Sequence, residues 1–403
     1  MLVISAPFVN FQKVVKQPIR YTGLQFSAGN REERARLQKL NSWKRPPLLV
    51  RTWNRCYRLL SLLPILSSLG LTQADGKLGP LMHQQTDGPT QSRAVSTSAS
   101  SNQPAAQSTV EPEPSEMRRH VEALSRLLRN PAHMEQLNQA ADYIRREWEK
   151  MGFTVTEQPV RYEGKDFKNL LVSYGPPQAE RIVIGAHYDA FGDQPGADDN
   201  ASGIAGILEL SRLLSQYRPA LKNRIDLVAY TLEELRPEAM GSKTHAESLV
   251  QEKAQVRGMI SVEMIGYYDD RPGSQTYPLK QLHWVYPNTG DFIGLVGYGN
   301  SFGWMRQVRA SFLQNFEKTG ILPTRMLYVP FNTIGVDRSD HSSYSRLGIP
   351  AMMVTDTSNF RNPNYHSRSD TLQTLDFQRA AEVVKMLYNF AVGESSHSRT
   401  DFN

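Results

Sequence analysis

The sequence predicts an α/β fold, a single three-layer domain with a central, mostly parallel sheet between helices. Apolar, β-rich runs recur as RIVIGAHYD from residue 181, IDLVAYTLEE from 225 and RGMISVEMIG from 257. A helical pattern, GIAGILELSRLLSQY from 203, separates the first two. The runs are almost continuously apolar rather than alternating, as strands are when helices cover both faces of a parallel sheet.

The remaining elements follow from the same periodicities. Met134, Leu137, Ala141, Ile144, Trp148 and Met151 recur at steps of three and four, the signature of one apolar helical face. FIGLVGYG near 292–299 and PAMMVTD near 350–356 are further strands, with helices around 301–317 and 376–391. The aromatic and methionine content of 326–353 reads as core, with Tyr328 and Phe331 as candidates to line a substrate pocket. Within the chain of 403 residues, one domain over 116–395 accounts for these elements.

The segment ahead of that domain has a different texture. Residues 73–115 are rich in Ser, Thr, Gln, Pro and Ala and poor in large apolar groups, which predicts a disordered linker. Before it, RTWNRCYRLLSLLPILSSLGLTQ places three arginines ahead of an apolar run and then small and polar residues, the layout of a secretory signal over 51–72 within a basic leader, 1–72. The run is too short for a comfortable membrane span, so no stable membrane insertion of the mature domain is expected. A periplasmic or secreted protein follows, with translation starting near Val50. Residues 396–403 form a tail.

Charge and cysteine usage narrow the function. The formal net charge is +6, but residues 1–58 carry +10 and leave −4 for the rest. The folded part therefore lacks the clustered cations that bind phosphate backbones, and nucleic acid is not an expected partner. Cys56 is the single cysteine and lies in the leader, so the domain has neither disulfides nor a cysteine nucleophile.

Polar residues gather where strands end. His187 and Asp189 follow one strand, Asp199 opens a helix, Glu233 and Glu234 end a second strand and Glu263 a third, while His366 lies in a late loop. Sites in open α/β sheets form beyond the carboxyl ends of the strands, so these chain-distant groups are expected to meet in one crevice. Two histidines and three carboxylates suit two zinc ions, with one carboxylate, Asp199, as the bridge. Asp189 is placed to accept the other ring N–H of His187. Asp193 and Asp198 read as loop or cap residues, His341 as packing or as support for a ligand from behind, and His245 as solvent-facing.

The motifs HYD, GADDNASG, TLEE, EMIGYY and NYHSRSDTL, in this order and spacing over about 116–395, resemble peptidase family M twenty-eight, the co-catalytic zinc aminopeptidases. The resemblance implies a zinc-peptidase (phosphorylase/hydrolase-like) fold with a mixed sheet. It implies one zinc held by His187, Asp199 and Glu263 and a second by Asp199, Glu234 and His366. It also makes Glu233 the general base and Tyr365 a group that helps stabilise the tetrahedral intermediate. Glu263 departs from the aspartate of many members and reaches one methylene further. The implied activity is removal of the N-terminal residue from peptides with a free N-terminus. A carboxypeptidase or dipeptidase would need a cation for the substrate carboxylate, for which Arg338, Arg361 and Arg368 are available. Glutaminyl cyclase chemistry or a non-catalytic binding domain would also be compatible with the same fold.

Overall fold

The computed structural model describes residues 110–235, 239–329 and 335–393. The expected leader, Cys56, residues 73–109 of the expected linker, Phe331 and the expected tail lie outside them. The described chain is already docked at its start. Val110 packs on the core, and the backbone N–H of Glu113 donates to the Glu209 carboxylate at 2.6 Å. Helix α1, Pro114–Ser125, begins with its proline in the first turn, where no N–H is missed. The expected linker thus ends earlier than residue 115. Helix α2, Met134–Lys150, buries Leu137, Ala141, Ile144 and Trp148, the face that the periodicity marked.

A hairpin that the sequence did not reveal comes next, β1 (Thr156–Tyr162) and β2 (Lys165–Tyr174). The chain then runs through β3 (Arg181–His187), α3 (Gly203–Tyr217), β4 (Arg224–Tyr230), α4 (Met240–Gln251) and β5 (Val256–Glu263). It continues through β6 (Ile293–Tyr298), α5 (Phe302–Thr319), β7 (Thr324–Val329), α6 (His341–Arg346), β8 (Ala351–Thr355) and α7 (Phe377–Gly393).

The strands form one mixed eight-stranded sheet, ordered β1-β2-β4-β3-β5-β8-β6-β7. Its centre, β4-β3-β5-β8, is parallel, while β2 and β6 run antiparallel on either side of it. Both faces are covered, as predicted. On β3, Ile182, Ile184 and Ala186 join a core built with α1, α2, α3 and α7, whereas Val183 packs on the other face with Leu249 of α4 and Tyr344 of α6. That second layer corrects one expectation: His245 is buried, with Nδ1 2.5 Å from the Tyr344 hydroxyl. Burial pushes its pKa down to about 4. Its helix carries too few apolar residues to show this face in sequence.

Because the central strands are parallel, β3, β4, β5 and β8 end along one edge. His187 pairs with Tyr230 and Glu263 with Thr355, so these positions stand side by side at the strands' carboxyl ends. No helix among the described residues is long and apolar enough to cross a membrane.

Candidate metal centre

Three loops and two strand ends bring the predicted ligands together. Asp199 sits between β3 and α3, in a segment whose geometry is held by several distant groups. Asn200 donates to the Val262 carbonyl at 2.9 Å and accepts from the N–H groups of Met264 and Gly203, tying this loop to the end of β5 beside Glu263. Gly203 is required by that closeness: a Cβ there would stand 2.3 Å from Asn200 Oδ1 and 2.5 Å from the Val262 carbonyl. Asp370 accepts the backbone N–H groups of Asp198 and Asp199 at 2.8 and 3.1 Å. Asp198 is neither a loop surface group nor a cap. It is fully buried and accepts from Ser202, Gly266 and Asn362. Asp193 does lie in an exposed loop. Buried His341 directs Nε2 to the Val336 carbonyl at 2.8 Å, a packing contact.

The Glu233–Glu234 turn is gripped by Asp189, whose two carboxylate oxygens accept the two backbone N–H groups at 3.1 and 3.0 Å. This differs from the expectation. His187 Nδ1 lies 3.2 Å from the Asp189 backbone carbonyl and 3.6 Å from its carboxylate. Leu232, before the turn, takes φ of 59°, a left-handed conformation that costs a non-glycine residue about 1–2 kcal/mol. Glu263 is steadied by Ser339, which donates to its Oε2 at 2.7 Å.

His187 Nε2 faces Asp199 Oδ1 and Glu263 Oε2, each at 3.4 Å. His366 Nε2 faces the other oxygen of Asp199 at 3.1 Å and Glu234 Oε1 at 3.3 Å. The single carboxylate of Asp199 therefore serves two histidines, one per oxygen. Ligands about 2.0–2.2 Å from a tetrahedral ion stand roughly 3.3–3.6 Å from one another, close to these separations. Among the described residues, His366 Nε2 is buried and makes no hydrogen bond despite its two carboxylate neighbours, as expected of a ligand atom aimed at a common point rather than at either oxygen. Glu233 places Oε2 4.0 Å from His187 Nε2; it is absent from the triads His187–Asp199–Glu263 and Asp199–Glu234–His366, although it could join His187 and Glu234 in a third grouping of possible ligands.

The electrostatics need cations. Burial, and then the Asp199 charge, push Glu234 up to about 7. Burial alone would raise the Asp199 carboxyl, but the two imidazoles hold it well below the usual carboxylate range. Burial opposes protonation of His366, yet the carboxylates of Asp199 and Glu234 prevail and lift it to about 9. Two divalent ions would balance the negative charge of Asp199, Glu233, Glu234 and Glu263, so the residues present fit zinc.

A mainly apolar pocket adjoins this cluster. Its lining includes Asp199, Glu263 and Tyr365 together with Phe292, Val296, Leu327 and Met353, and also Arg325 and Arg338. Tyr328, expected to line such a pocket, is on the opposite face of β7 from Arg325 and Leu327, with its hydroxyl donating to the Gly299 carbonyl at 2.7 Å. Arg361 is buried and donates to Gln275 at 2.8 Å, while Arg368 is exposed.

An α/β domain whose parallel strands converge histidines and carboxylates at one edge defines a metallohydrolase scaffold. The chain belongs to peptidase family M28, whose model matches residues 169–287 and 291–391, and it is accordingly a hydrolase of peptide bonds from a zinc-dependent family. It is 43% identical over 276 residues to the uncharacterized protein YfbL of Escherichia coli K12, covering 65% of this chain and 83% of that one. Leucine aminopeptidase 1 of Trichophyton equinum is 29% identical over 227 residues, 52% of this chain and 53% of its own, so the chain spans about half of that relative. LapB of Legionella pneumophila shares the fold, with a TM-score of 0.56 at 21% identity over 71% of this chain and 73% of that one.

Proposed function

We propose that the protein is a dinuclear zinc aminopeptidase that removes an N-terminal apolar residue from peptides. The observation that carries this reading is the Asp199 carboxylate, which addresses a different histidine with each oxygen. His187, Asp199 and Glu263 would hold one zinc, and Asp199, Glu234 and His366 the other. When bound, the pair supplies Lewis acidity that lowers the pKa of a water and polarises a carbonyl. Glu233, nearly fully buried beside the cluster, accepts the proton of that water and delivers it to the leaving amine. The carboxylates of Glu233 and Glu263 suit the substrate ammonium, and the Tyr365 hydroxyl suits the oxygen on which negative charge develops. The apolar pocket would take the N-terminal side chain, in keeping with the leucine aminopeptidase relatives.

A zinc titration of metal-stripped protein, followed with leucine p-nitroanilide and its N-acetylated counterpart, tests the proposal. Activity that rises toward two zinc per chain, on the free amine alone, is expected. Arg325 and Arg338 on the pocket wall favour one second reading, a peptidase that holds a substrate carboxylate there. No turnover of either compound at full zinc loading, with cleavage of an N-blocked peptide bearing a free C-terminus, would establish that reading instead. The export reading of residues 51–72, with a periplasmic or secreted location, belongs to this proposal. N-terminal sequencing of the exported chain checks it.

A further inference from the structure

We propose that Phe191 is a positioning residue that sets the plane of the His366 imidazole, an inference that rests on reading His366 as a zinc ligand. The Phe191 ring lies 4.0 Å from the His366 ring at an interplanar angle of 5°, and the Tyr365 ring lies 3.8 Å away at 18°. Two rings cannot share one imidazole face at these separations without their atoms overlapping. Phe191 and Tyr365 therefore enclose His366 from opposite sides.

His366 needs such support more than its counterpart does. A metal-bound histidine usually fixes its ring by donating its other N–H to an acceptor. His187 has one in the Asp189 carbonyl and is fully buried. For His366, among the described residues, no acceptor hydrogen-bonds Nδ1. Its side chain is 23% exposed, against 1% for His187, and its backbone takes φ of 53°, in the left-handed region. Ring stacking, worth about 0.5–1.5 kcal/mol per aromatic pair, holds the imidazole plane from both faces.

Phe191 is itself held for this task rather than for burial, since it is 44% exposed. Its loop is clamped by the fully buried guanidinium of Arg129, which donates to the carbonyls of Tyr188, Pro195 and Gly196 at 2.9, 2.8 and 2.7 Å. The N–H of Ala190 donates to the Arg129 carbonyl at 2.7 Å, and the Asn130 amide donates to the Gly192 carbonyl. The backbone that carries the ring is thus anchored on both sides.

The test is zinc binding by the full chain, measured by chelator competition and elemental analysis for the wild type, Phe191→Ala, Phe191→Leu and Phe191→Tyr. In the alanine and leucine variants the first zinc should bind as in the wild type and the second roughly 10- to 100-fold more weakly, while tyrosine restores it. Leucine separates planar stacking from apolar bulk. If alanine or leucine kept the second zinc at wild-type affinity, or if both ions were lost together, the positioning role would be overturned. A wild-type chain that binds a single zinc would defeat the dinuclear reading itself, a result distinct from any behaviour of the Phe191 variants.

Discussion

At the scale of single residues, the proposed assignment separates ligation from proton transfer, because it gives the ions to His187–Asp199–Glu263 and Asp199–Glu234–His366 rather than to the third grouping, His187–Glu233–Glu234. Glu233→Gln keeps the shape and removes the base. It should retain both zinc ions by elemental analysis while turnover falls about 100- to 10,000-fold, the usual contribution of a positioned general base. His366→Ala should lose one zinc as well as activity. Near-normal turnover in Glu233→Gln would show that the proton is carried elsewhere. A second prediction concerns Gly203, where the obstacle to a Cβ is partly the Val262 backbone, which cannot swing aside. Although alanine favours helices, Gly203→Ala should destabilise the fold by about 1–3 kcal/mol in urea unfolding, the usual cost of overpacking. The residues of the proposed metal site were legible in the sequence because His187, Glu233, Glu234 and Glu263 stand out at or just past the ends of apolar runs, while Asp199 and His366 stand out within the GADDNASG and NYHSRSDTL motifs. Asn200, Asp370, Ser339 and Phe191 were not, since their roles lie in contacts to groups 62, 171, 76 or more positions away, and no local pattern marks them.

At the scale of elements, legibility followed burial. The central strands β3, β4 and β5 and helix α3 are mostly apolar and mostly buried, so composition locates them within a few residues. The β1–β2 hairpin escaped because β1 is an edge strand, TEQPVRY, largely exposed and interrupted by Pro159. Its turn was equally inconspicuous. Glu163 and Gly164 have φ of 48° and 74°, the left-handed pair of a two-residue hairpin, but glutamate stands where asparagine or aspartate would have signalled it. That mismatch is testable. Glu163→Asn, which tolerates the left-handed region better, should raise stability by about 0.5–1 kcal/mol in urea unfolding without altering activity. An unchanged midpoint would mean that the turn is strained less than its angle implies. Strand β7 was absorbed into a general core reading for a similar reason: Arg325 on an outer strand breaks the apolar run.

At the scale of the whole molecule, the fold gathers buried carboxylates at one edge of its sheet, and on the proposed function zinc and protons compete for the same groups. Without metal, the folded state holds a proton on Glu234 up to about pH 7 and on His366 up to about pH 9. The unfolded chain releases these protons near 4.3 and 6.5, so between these limits the folded state binds more protons than the unfolded one. Stability of the metal-free protein therefore falls as pH rises, over about 4.3 to 7 through Glu234 and about 6.5 to 9 through His366. Zinc runs the other way on the proposed assignment, because the ion held by Asp199, Glu234 and His366 must displace these protons and binds more tightly as they leave. The gap between zinc-loaded and metal-free melting temperatures should widen from pH 6 to pH 9 at fixed free zinc, with saturation at 100 times Kd worth about 2.7 kcal/mol. Calorimetry in buffers of different ionisation enthalpy should detect proton release on zinc binding at pH 7. A gap that stays constant with pH, together with no buffer dependence, would mean that His366 and Glu234 are not where zinc binds, and the shared Asp199 carboxylate would then need another explanation.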